Sequence, residues 1–143
     1  ELGYLLSSTD LSNDNEALSG VSFVTKSSLK ALVQSSGASL SDVVRGPMSL
    51  GTLFETEGFP SVPSQNQPNP GSDPFFSGGY NTVRHGSRDS GTVSGVQIEC
   101  NYPGVRDTEE NRQAFAEAVG GILATYFPEY LGMELATPLV ASA

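Results

Sequence analysis

Two short stretches carry the side chains best suited to chemistry. "SGGYNTVRHGS", residues 77–87, holds the only histidine, His85, next to Arg84, and "SGVQIECN", residues 94–101, holds Glu99 two residues after Gln97. An imidazole changes charge near neutral pH, so it serves as an acid–base group or, more mundanely, as a hydrogen-bonded surface residue. A carboxylate on an otherwise apolar strand costs free energy unless solvent, a cation or a metal meets it. If the connection between the two stretches folds back, Glu99, Gln97 and His85 share a cleft. The alternative is a glycine-rich turn beside a solvated strand face, and residue types alone leave both readings open.

Other chemistries fit less well. A catalytic zinc takes three protein ligands, commonly two histidines with a carboxylate, and one histidine does not complete such a set. No G-x-S-x-G elbow accompanies the many serines. Gly78, Gly79 and Gly86 have neither the lysine of a phosphate-binding loop nor dinucleotide spacing. Arg84, Arg88, Arg106 and Arg112 are four of only seven basic residues and crowd around the two stretches. That concentration suits a substrate carboxylate, which a guanidinium grips in bidentate fashion, or internal ion pairs, to which "VRDTEENR" lends itself.

The elements that must position these residues follow from pattern. "ELGYLLSS" is a brief apolar run that predicts a buried strand over residues 2–7, and the polar stretch Thr9 to Ser22 predicts an exposed loop. "SSLKALVQSSG" predicts a helix near 28–35, with Ser27 as its cap, Leu29, Leu32 and Val33 on one face, and Gly37 closing it. "SLSDVVRG" and "SLGTLFETEG" predict two further short helices, each opened by its first serine, Ser39 or Ser49, as a cap and closed by Gly46 or Gly58. Five prolines between Pro60 and Pro74 exclude helix and central strand there. "SGVQIECN" alternates, with Val96, Ile98 and Cys100 on one face and Gln97, Glu99 and Asn101 on the other. "DTEENRQAFAEAVGGILATYFPEYL" predicts the longest helix, opened by an Asp107–Glu110 capping box, striped by Phe115, Val119, Ile122 and Tyr126, and ended by Pro128. No repeat, heptad array or second domain boundary appears, and the tail after Leu131 is weakly determined.

Composition limits the partners. The 143 residues suffice for one domain with a modest core, or for part of a larger one. A formal net charge of −9 repels phosphate backbones and anionic lipid, which speaks against nucleic acid and membrane surfaces as partners. No run approaches the roughly 20 apolar residues of a membrane span. Cys100 is alone and forms no internal disulfide, so cysteine usage leaves the compartment open, and there is no N-glycosylation sequon. The chain opens on Glu1 with sequence that already reads as structured, so a processed precursor or a fragment is expected, and an extracellular location after processing is slightly favoured over a cytoplasmic one.

The string "DPFFSGGYNTVRHGS", then "GVQIE", then "NRQAFAEAV" together resemble the C-terminal half of the N-formylglutamate amidohydrolase family, where a G-G-Y-T-T-x-x-H-G segment precedes a Q-I/L-E strand. "SSLKALV", "VVRGPMSLGTLFETEG" and "VPS" extend the likeness over nearly the whole chain. The resemblance implies an α/β fold, a mixed sheet flanked by helices with long Pro/Gly-rich loops, forming half of a zinc-carboxypeptidase-like hydrolase domain. It also implies hydrolysis of an amide on an acidic amino acid. By that analogy Glu99 is the general base, and His85 and Arg84 contact substrate or polarise its carbonyl. Gly78, Gly79, Tyr80, Asn81 and Thr82 form the substrate loop, beside Gln97; Asn81 departs from the family's usual threonine. The family's zinc ligands lie in an N-terminal half that this sequence does not contain. Zinc and activity are therefore expected only with a complementary chain from the same precursor. The competing expectation is a non-enzymatic extracellular structural or binding protein that reuses the scaffold and self-assembles through an exposed sheet edge.

Overall fold

Serine and aspartate caps punctuate the first half of the chain into short helices. The computed structural model describes residues 1–135. After strand β1 (Leu2–Gly3), Ser7 and Asp10 form a reciprocal capping box on α1 (Ser8–Leu11), and the Asp14 carboxylate caps α2 (Asn15–Leu18). Helix α3 (Val21–Lys26) follows, then α4 (Lys30–Ser36), closed by Gly37 in the left-handed conformation at φ 74°. Ser39 and Ser49 cap α5 (Leu40–Arg45) and α6 (Leu50–Thr56). The proline-rich segment 60–74 holds neither helix nor strand. Helix α7 (Tyr80–His85), strand β2 (Gln97–Ile98) and the long α8 (Glu109–Leu131) complete the order.

Helix α8 lies against α4 and α6. It buries Ala118, Ile122, Tyr126 and Tyr130 among Leu2, Leu6, Leu32, Leu40, Val43 and Phe54. Phe115 stacks on Phe54 with ring centroids 5.5 Å apart and meets Phe59 edge-on at 5.2 Å. Full burial of such a side chain contributes on the order of 1.5–3 kcal/mol. Packing of this face therefore holds α8 in place.

The expected mixed sheet flanked by helices is corrected by this architecture. The only sheet among the described residues is antiparallel and two-stranded, with Leu2 opposite Ile98 and Gly3 opposite Gln97. The fold is helix-rich, and half of a zinc-carboxypeptidase-like domain does not describe it. The reason lies at the first apolar run. Residues 4–6 are buried as a strand would be, but Leu5 turns into the left-handed region at φ 63° and Ser7 starts a helix. Beyond Gly3 the ladder is replaced by single bonds, from Leu5 N–H to Ser77 O at 2.6 Å and from Ser28 N–H to Tyr4 O at 2.9 Å.

Three further expectations change. The polar stretch 9–22 is largely helical: it carries most of α1, all of α2 and the start of α3, with the exposed Asp14 accepting from Ala17 N–H at 2.8 Å to open α2. Ser27 is not the cap of α4: it is wholly buried, donates to Val24 O and accepts from Leu29 N–H at 3.3 Å, while Leu29 holds the cap position without a side-chain cap bond. Thr108 caps α8 by accepting from Asn111 N–H, in place of Asp107, and the helix runs through Pro128 to Gly132. Proline is tolerated there because its missing N–H leaves only the carbonyl of exposed Ala124 without its usual donor, where water can serve.

Candidate functional site

The stretch that reads as either a reactive segment or a glycine-rich turn delivers a helix, α7. Gly3 permits this. A Cβ at Gly3 would lie 2.6 Å from backbone atoms of Ser77 and Gly78, so the segment entering α7 can cross β1 only where no side chain intervenes. Gly78 itself sits at φ 133°, a conformation that residues with side chains rarely adopt, and a Cβ there would meet Leu5 Cδ2 at 2.9 Å. Helix α7 then passes alongside β2, and the backbones of Ser87 and Gly95 both donate to Ser28 O, at 3.3 and 3.2 Å. Ser28 thus fastens the end of α7 to the approach of β2.

Between these elements lies a cleft of about 260 Å³. Asn81, Thr82, His85 and Gly86 line it from α7, and Val93, Val96, Gln97 and Ile98 from the β2 side. Thr82 is buried, whereas Asn81 and His85 face solvent at the rim. Gln97 connects this cleft to Glu99: its Nε2 donates to Glu99 Oε1 at 2.9 Å, as expected of alternate residues on one strand face. A Cβ at Gly79 would come within 3.3 Å of Gln97 Oε1, so glycine there lets the amide lie flat against the loop.

Asn81, Thr82, His85 and Gln97 are therefore brought together, with Gly78 and Gly79 behind them. Glu99 is set apart by one hydrogen bond. It lines a neighbouring cavity of about 250 Å³, together with Glu1, Cys100, Asn101, Phe59 and Phe115. Tyr80 is 76% exposed and Arg84 is exposed beside it, and neither lines the cleft. The arginine cluster is not consumed by ion pairs: Arg106 donates to Asn101 O and lies over the Tyr102 ring, Arg112 donates to Arg106 O, and only Arg88 meets a carboxylate, that of Asp89 at 3.4 Å. Among the described residues no three His, Cys, Asp or Glu side chains converge as a metal site would require.

One polar centre escaped the sequence reading. Arg45 is 7% exposed, and its guanidinium donates to Leu11 O and Asn13 O at 2.7 Å, to Asn15 Oδ1 at 2.8 Å and to Pro68 O at 3.3 Å. It ties α5, the α1–α2 connection and the proline-rich segment together, and nothing in the "SLSDVVRG" pattern marks it as buried. No family model, curated protein or solved structure matches the chain.

Proposed function

We propose that the α7–β2 cleft binds a small acidic amide, and that the chain is the substrate-binding part of an amidohydrolase of the N-formylglutamate type. The observation that carries this reading is the meeting of Asn81, Thr82, His85 and Gln97, drawn from two elements, around one cleft. Amide and imidazole groups can donate to and accept from a substrate amide and carboxylate, which a purely apolar cleft cannot do. In this reading Glu99, which lines the neighbouring cavity and is joined to the cleft through the Gln97 bond to its Oε1, would serve as the base. The described side chains do not fit a zinc ion, so the reading assigns zinc, the activator of a bound water in such enzymes, to a complementary chain.

Intact mass and metal analysis of natively purified protein, with an assay of N-formylglutamate turnover, test the reading. A second polypeptide, stoichiometric zinc, and turnover that Glu99→Gln removes without unfolding the protein are expected. Native material holding this chain alone and no zinc overturns the enzymatic reading. Full turnover in the Glu99→Gln protein overturns the role of that carboxylate.

A further inference from the structure

Strand β2 is paired on one edge only. Glu1 and Glu99 exchange backbone hydrogen bonds, 2.9 Å in each direction, while the Leu2 N–H turns away from β2 to Val62 O at 2.9 Å. Bonded and non-bonded pairs alternate in an antiparallel ladder. Leu2 and Ile98 are therefore a non-bonded pair, and the N–H and C=O of Ile98 point to the opposite edge. No strand lies there among the described residues. The Ile98 side chain is 41% exposed, and Val93, which shares the cleft with it, is 62% exposed. A sheet this small is below what stands alone, and an open edge is a template for another strand.

We propose that a second copy of this chain occupies that edge, its β2 running antiparallel to the first about a two-fold axis at Ile98. The sequence around Ile98 is self-complementary in this register. Ile98 faces Ile98, Gln97 of each copy faces Glu99 of the other, and Val96 faces Cys100. Each carboxylate then meets an amide donor on one face while apolar side chains meet on the other. A shift of the axis to Glu99 sets the two Glu99 carboxylates opposite each other, which destabilises the pair. A shift to Gln97 leaves Glu99 opposite Gly95, and a shift to Cys100 sets Pro103, which has no N–H, opposite Gln97. The product is a four-stranded sheet in the order β1-β2-β2-β1. Gln97 and Ile98 also line the α7–β2 cleft, so the pairing and any ligand of that cleft share these two residues.

Sedimentation equilibrium of the full chain from micromolar to millimolar concentration tests it. A dimer is expected that tightens as salt is added, because screening relieves the repulsion of two chains at −9 each. Ile98→Pro removes one outward donor per copy without touching the Glu1–Glu99 bonds, and should weaken the dimer by about tenfold or more. Ile98→Lys keeps the N–H but places like charges at the axis and should weaken it too. Circular dichroism and thermal melts identify any variant whose monomer fails to fold. Val96→Cys should cross-link to Cys100 of the second copy under oxidation, whereas two native Cys100 residues, about 13 Å apart along the strands, should not join. A monomer throughout the range at high salt, or a dimer indifferent to both folded Ile98 variants, overturns the proposal. Cross-linking of wild-type Cys100 to itself overturns the register.

Discussion

Tyr4 shows how far a single residue departs from its type. The apolar run 2–7 predicts burial for it, and it is 1% exposed, but its hydroxyl has no hydrogen-bond partner among the described residues. Burial first, then the neighbouring Tyr126 and Tyr130 hydroxyls, push its pKa well above the ordinary phenol value. An unpartnered buried hydroxyl opposes folding, whereas the ring is core. Tyr4→Phe should therefore leave stability unchanged or raise it by up to about 1 kcal/mol, the reverse of the usual loss where a tyrosine is hydrogen-bonded. Urea unfolding reads this directly, and a clear loss of stability would mean that the hydroxyl finds a partner in solution. His85 and Glu99 make the complementary point: both were legible as candidates, but that Gln97 and not Glu99 faces His85 was not.

At the scale of elements, caps were partly legible and their partners were not. Ser39, Ser49 and Gly37 act as their positions suggested, because a cap bonds within its own first or last turn. The capping box of Ser7 and Asp10 is coupled to α3, sixteen residues away, through Lys26 on the Asp10 carboxylate. Burial alone would raise the Asp10 pKa, but the bonds from Lys26 and from the Ser7 amide and hydroxyl outweigh it and hold the carboxyl below the ordinary value. A depressed folded pKa stabilises above the unfolded value and ceases to do so as pH falls through the folded one. Asp10→Asn should thus lower the urea midpoint at neutral pH, and the gap to wild type should close below about pH 4. A gap that persists unchanged at pH 2 would assign the effect to shape instead of charge. The Asp107–Glu110 box failed for a local reason: the turn before α8, with Gly104 at φ 79°, draws Asp107 onto Gly104 N–H and Asn111 and leaves Thr108 at the cap.

For the whole molecule, Arg45 is the residue on which distant segments depend. Its donors satisfy carbonyls of residues 11, 13 and 68 from α5, and removing it strands one buried and two part-buried acceptors at once. With hydrogen bonds from a charged group contributing about 1.5–3 kcal/mol each, Arg45→Met should cost on the order of 3 kcal/mol or more in urea unfolding. Arg45→Lys should recover only part of that, since an ammonium cannot span the fork. A loss below about 1 kcal/mol in the methionine variant would show that water replaces the guanidinium. What the sequence determined by itself was whatever depends on neighbours within a few residues: short helices with their serine caps, the apolar stripe of α8 and the proline-rich segment; the alternation of "VQIE" marked a strand but not its buried face, since Ile98 is exposed and Gln97 half-buried. Tertiary structure alone decided that the first apolar run bends at Leu5 instead of extending a sheet, that Arg45 is buried, and that α7 meets β2 at Gln97. Those outcomes rest on close approach between segments up to 98 positions apart, as from Glu1 to Glu99, and no local pattern encodes which backbone will be near enough to accept the bond.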